Sequence, residues 1–166
     1  MTRVVLAILA VAVCAATTAP AVAACTDPAQ PGVNWRRCYH DGLNLAGVDL
    51  TDAELRDATF QRSILDGAIL AGADAFRARF ISASMVGTVL DEARLFEADL
   101  TQTDLTGASL RNADLRNAGL VQANMRGADL TGARLAGADL RAAHFSGATW
   151  IDGQRICAPG SIGQCD

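Results

Sequence analysis

Histidine is almost missing from this sequence: His40 and His144 are the only two among 166 residues. Neither stands at metal-ligand spacing from the cysteines, so no metal centre is expected. Neither has a serine or cysteine arranged beside it in sequence as a nucleophile pair, so no catalytic site and no cofactor are expected either. Positive charge is also short. Fourteen basic residues face eighteen acidic ones, a net charge of −4, which gives no general attraction for nucleic acid or for an anionic membrane. The apolar run Val4–Ala16 covers thirteen residues, fewer than the roughly 20 that a membrane-spanning helix needs.

That run has another reading. Met1-Thr2-Arg3 gives a positive start and Ala21-Val22-Ala23 a small-x-small cleavage site, the pattern of a secretory signal peptide over residues 1–23. The expected location is therefore periplasmic or secreted. Val22-Ala23-Ala24-Cys25 also resembles a bacterial lipobox, which would lipidate Cys25 and tether the chain to a membrane. Processing after Ala23 keeps Cys25, Cys38, Cys157 and Cys165 as two local pairs, an even number that an oxidising compartment can bridge. Lipidation would leave three thiols.

What the sequence has in abundance is a period of five. From Leu45 to Trp150 every fifth residue is large and apolar except Ala75, twenty-two consecutive pentads without an insertion. Two residues before each large residue, here called position i, stands a small one, as at Ala53, Ala58, Ala108 and Ala128, with Leu43 and Val48 as larger exceptions near the start. A helix cannot use this spacing, because a five-residue step at about 100° per residue places successive leucines about 140° apart. A continuous strand fails as well, since an odd step flips the side chain to the other face. A composite unit fits: i−2, i−1 and i form a short strand with i−1 outward, and i+1 and i+2 turn a corner. Gly47, Gly67, Gly87, Asn112 and Asn117 at i+2 suit such a bend.

Units such as Ala128-Asp129-Leu130-Thr131-Gly132 and Ala138-Asp139-Leu140-Arg141-Ala142 resemble the A(D/N)LXX signature of the pentapeptide repeat family. The resemblance implies an all-β fold, a right-handed quadrilateral β-helix with four pentads per coil and thus about five and a half coils. The expected division is a signal peptide at 1–23, an N-terminal cap at 24–42, the pentapeptide-repeat solenoid at 43–152 and a C-terminal cap at 153–166. Cys25–Cys38 and Cys157–Cys165 are expected to staple the two caps. Tails like Trp150-Ile151-Asp152-Gly153 followed by Cys157 and Cys165 occur in secreted members of the family.

Outward positions are mostly Asp, Arg, Thr, Ser or Asn, and the aspartates among them read as solvated surface. One stretch is apolar: Ile64, Ile69 and Val89 at i−1, and Phe76, Ile81, Val86 and Phe96 at i+1. Exposed apolar groups of this kind mark interaction sites, and these seven are the candidate partner-binding residues. They lie in an acidic half. Residues 41–104 hold twelve acids and five arginines, whereas residues 105–152 hold four acids and five arginines. The expected function is a non-catalytic extracytoplasmic scaffold presenting a rigid face to a protein partner whose identity the sequence leaves unknown. Self-association as a homodimer stays open. The alternative, implied by other members of the family, is an acidic rod that mimics DNA and acts on a type II topoisomerase, a role that export opposes.

Overall fold

The structure is a computed structural model that describes residues 24–166; the expected leader at 1–23 lies outside the described residues. Its organising contact is a parallel pairing of residues twenty apart. Asn34 pairs with Glu54, Tyr39 with Thr59, Asn44 with Ile64, and so on every five residues to Asp129 with Thr149. Twenty residues therefore make one coil with four sides. Each i−1 amide donates backward, as Ile64 does to the Leu43 carbonyl at 2.9 Å, and each i amide donates forward, as Leu45 does to the Ile64 carbonyl at 2.7 Å. Only the i−1 residue bridges before the chain turns again. The expected three-residue strands are thus isolated bridges, and no continuous strand forms among the described residues.

The corners explain how such short sides are held. The amide after each corner donates to the carbonyl that opens it, as Ala68 does to Leu65 at 2.9 Å. The i+2 residue of every corner from Gly32 to Gly147 has positive φ, and thirteen of these residues are not glycine. A left-handed residue with a side chain costs roughly 1–2 kcal/mol. That cost is offset by a core in which the i and i−2 side chains, from Leu50 to Leu130, are almost wholly buried; each large one contributes about 1.5–3 kcal/mol.

The coil starts earlier than the leucine series implies. Val33 and Trp35, then Cys38 and His40, take the two inward slots of pentads ahead of Leu45, and all four are buried. The ladder from Asn34 to Thr149 thus makes six coils, and it enters the segment expected as a cap. The leucine period conceals this because flat rings replace leucine here. His40 packs 4.1 Å from the Trp35 ring and 5.3 Å from Phe60, which stacks on Phe80 at 5.1 Å.

Disulfides join Cys25 to Cys38 and Cys157 to Cys165. Among the described residues, each end is covered on two of its four sides. At the N-terminal end Val33, Trp35, Cys38 and His40 are sealed, with the Trp35 indole donating to the Asp27 carbonyl at 3.2 Å, while Leu43 is exposed and Leu45 and Val48 are half-buried. At the other end the tail folds back antiparallel, Ile156 against Thr149 and Ile162 against His144. Leu135, Ala138 and Leu140 on the remaining two sides are only partly buried. A loop closed between Cys157 and Cys165 is too short to span all four sides.

Candidate interaction surface

Twenty residues per coil divide the surface into two flanks of ten-residue blocks. Residues 33–42, 53–62, 73–82, 93–102, 113–122 and 133–142 form one flank, and 43–52, 63–72, 83–92, 103–112, 123–132 and 143–152 form the other. The first holds eight acids and ten arginines, the second eight acids and two arginines. We call them the arginine flank and the glycine flank. This difference between the two sides is separate from the imbalance between the chain's two halves, which on coiling runs along the rod.

On the arginine flank, seven of the ten arginines are ion-paired within the chain. Asp74 holds Arg56 at 2.6 Å and Arg94 at 3.4 Å, and Asp114 holds Arg116 at 2.5 Å and Arg134 at 3.8 Å. The hydrogen bond from Arg116 keeps the Asp114 carboxyl below its ordinary pKa. Arg77 sits 3.7 Å from Asp57 and 4.0 Å from Glu97, in a shallow depression of about 370 Å³ lined also by Arg79 and Asp99. Arg77 thus pairs with a carboxylate from each neighbouring coil.

The seven candidate residues do not form one patch. Phe76 and Phe96 stack at 5.8 Å on the arginine flank, where both are half-buried. Arg56, Arg77 and Arg94 lie within 6.0 Å of the Phe76 ring, and Arg116 lies 5.2 Å from Phe96. These rings are already occupied by the chain's own cations. Ile81 falls on the same flank, at the next corner. Ile64, Ile69, Val86 and Val89 gather instead on the glycine flank, in two adjacent coils, with Ile64 42%, Ile69 38% and Val86 39% exposed. Ile69 and Val89 bridge directly. Of the large apolar residues that stand exposed, Leu43 and Ile151 also belong to this flank, and Ile156 and Ile162 extend it through the tail. Tyr39 alone stands on the other side.

The corner between the two glycine-flank sides carries Gly47, Gly67, Gly87, Gly107, Gly127 and Gly147, one in every coil. Positive φ does not demand this, since Arg, Asp, Glu and Gln adopt it at other corners. Crowding does not demand it either: a Cβ built at any of the six meets nothing within 4 Å. Gly132 is different, because its Cβ would overlap the Asn112 side-chain Oδ1. This column was legible in the sequence to anyone stepping by twenty, whereas stepping by five merges it with the other corners.

Aspartates on both flanks serve the fold. An i−1 carboxylate caps the amide two residues on, as Asp104 does for Thr106 at 3.0 Å and Asp129 for Thr131 at 2.9 Å, a local bond typical of this side chain. An i+1 carboxylate staples the next coil, as Asp66 does by accepting from Ser84 at 2.5 Å and from the Val86 amide at 3.0 Å. Among the described residues no group of three or more His, Cys, Asp or Glu side chains is placed to hold a metal ion. His144 lies against Arg126 at 3.3 Å, and His40 is enclosed in the core.

The profile of the pentapeptide repeats matches residues 44–80, 76–112 and 108–147. The chain belongs to the pentapeptide repeat family. Among solved structures it is similar to HetL, a pentapeptide repeat protein involved in heterocyst differentiation regulation from the cyanobacterium Nostoc sp., at 30% identity over 75% of this chain and 68% of that one, with a TM-score of 0.52. A pentapeptide repeat protein from the Arabidopsis thaliana thylakoid lumen matches at 27% identity over 74% of this chain and 83% of its own, with a TM-score of 0.46. QnrB1, a plasmid-mediated fluoroquinolone resistance protein, matches in a trypsin-treated form at 20% identity over 72% of this chain and 64% of its own, TM-score 0.46. A search of curated proteins found none that matches. The pentapeptide repeat proteins form right-handed β-helices, and the four-sided ladder described above is this family's architecture.

Proposed function

We propose that this pentapeptide repeat protein is a non-catalytic extracytoplasmic scaffold that binds a protein partner on its glycine flank. The observation that carries the reading is the gathering of Ile64, Ile69, Val86 and Val89 on one side of a rod whose other side holds most of its arginines in ion pairs. A rigid coil presents such a surface at little entropic cost on binding. Two disulfides near the ends are compatible with an oxidising compartment. They staple the segments that close the two halves of the core and serve as caps, and Cys25 is bridged and not lipidated in this reading.

The test is fractionation of the native host, with the N-terminus of the mature protein read directly, followed by in-cell photo-cross-linking. A photoreactive residue placed at Thr106 on the glycine flank should yield a discrete adduct, and one placed at Asn117 on the arginine flank should not. A cytoplasmic chain with free thiols would remove the extracytoplasmic part. Absence of an adduct from either flank would remove the scaffold.

The DNA-mimic reading draws on the same flank, where eight acids face two arginines. Apolar residues interrupt that charge at Ile64, Ile69, Val86 and Val89, and Arg111 and Arg126 interrupt it further along. A double-stranded polyanion has no counterpart to this apolar set, so the protein-binding reading is preferred.

A further inference from the structure

The glycine flank carries information about the chemistry of its partner, and this inference rests on the scaffold reading above. Residues 43–52, 63–72 and 83–92, the first three blocks of that flank, hold five acids, Asp49, Asp52, Asp66, Asp91 and Glu92, and no arginine. The chain contains no lysine at all, so nothing on this stretch compensates those charges locally. The same stretch holds the exposed Ile64, Ile69 and Val86. An apolar surface ringed by uncompensated carboxylates rejects acidic partners and favours cationic ones that also offer apolar side chains.

Shape adds a second constraint. At the corner that runs through this patch the i+2 column projects no side chain, because Gly67 and Gly87 occupy it with open space around each Cα, while Asp66 and Val86 stand beside it at i+1. Another backbone can therefore come against the edge itself while its side chains reach to either side, toward Ile64 and toward Ile69 and Val89. At the diagonally opposite corner Arg77, Glu97 and Asn117 hold the equivalent positions and keep any partner a side-chain length away.

We infer that the glycine flank takes a protein segment in which basic residues are interspersed with apolar ones, laid against the glycine edge between Ile64 and Val89. The carboxylates attract and orient that segment, the aliphatic patch supplies the contact, and the arginine flank plays no part in holding it.

Two peptides test this, one alternating arginine with valine and one alternating glutamate with valine, each titrated into the isotope-labelled, disulfide-intact protein. The arginine peptide is expected to shift the amide resonances of Gly67, Gly87 and their neighbours, with an effect that fades as salt rises, and the glutamate peptide to leave them in place. A variant carrying Asp49→Asn, Asp66→Asn and Asp91→Asn keeps the acceptor oxygens that cap and staple the coil, and should bind the arginine peptide about tenfold more weakly. Ile64→Ser with Ile69→Ser should abolish the shifts without lowering the melting temperature. Equal binding of both peptides, shifts confined to the arginine flank, or no binding of the arginine peptide would each overturn the inference. Sequencing the cross-linked partner segment separates this claim from the scaffold reading: an adduct at Thr106 to an acidic segment keeps the scaffold and rejects the cationic partner.

Discussion

Along the arginine flank most charged side chains answer another: Asp74 sits between Arg56 and Arg94, Asp114 between Arg116 and Arg134, and Phe76 lies among three guanidinium groups. Along the glycine flank the i+2 column of the corresponding corner carries no side chain, and Ile64 and Ile69 are exposed. Both flanks rest on the same backbone ladder and the same columns of leucine. A repeat of five residues fixes the inside, while the outside is free to differ every ten. One side of the rod can therefore be tuned for stability and the other left available for contact.

The sharpest way to break this comparison is at glycine. Gly132 and Gly107 share positive φ, but only Gly132 has a neighbouring side chain where a Cβ would go. Gly132→Ala is expected to cost about 2–3 kcal/mol, left-handed strain plus overpacking. Gly107→Ala should cost about 1 kcal/mol, from strain alone. Adding Asn112→Ala to Gly132→Ala should restore most of the difference, as a double-mutant cycle in chemical denaturation would report. Equal costs at the two glycines would mean that crowding between coils plays no part.

Next in size is Asp74→Ala, which removes the anchor of two arginines beside Phe76. The expected loss is about 1 kcal/mol, because these pairs are partly exposed and screened by solvent. Ile64→Ser with Ile69→Ser on the other flank should change stability by less than about 0.5 kcal/mol. A larger loss there would mean that the isoleucines serve the fold and not a partner.

His40 tests the shared core. Burial between Trp35 and Phe60 lowers its pKa from the ordinary 6.5, opposed in part by the charge of Asp41, and its Nε2 has no hydrogen-bond partner. The unfolded chain therefore takes up a proton first as pH falls. Stability from this group is complete above pH 6.5 and declines as pH drops from there toward the folded value. His40→Phe should extend the Phe60–Phe80 stack and flatten that part of the pH profile, measured by thermal melts across the acid range. An unchanged profile would contradict the enclosed position of the ring. The smallest effect expected is a slight rise in melting temperature with salt, as the surplus carboxylates of the glycine flank are screened from one another.

Much of the fold was legible in the sequence because the inward slots must be filled in every pentad. A large residue at i, most often leucine, and a small one at i−2, most often alanine, keep one register from pentad to pentad, and the bridges follow it. Two things were harder to read. Trp35 and His40 occupy core positions, yet a search for large aliphatic residues passes over them. The candidate surface needed the coil's second period, because neighbours on it lie twenty apart and a linear list cannot separate Phe76 from Val86. Those two residues, ten apart in sequence, stand on opposite flanks.

The account turns on that separation, and one paired measurement addresses it most directly: partner retention and melting temperature for two double variants, side by side. Ile64→Ser with Ile69→Ser should lose the cross-linked partner and melt like the parent chain. Phe76→Ser with Phe96→Ser should melt lower and still hold the partner. The reverse pattern, with binding lost from the phenylalanine variant and kept by the isoleucine variant, would contradict the assignment of the two flanks.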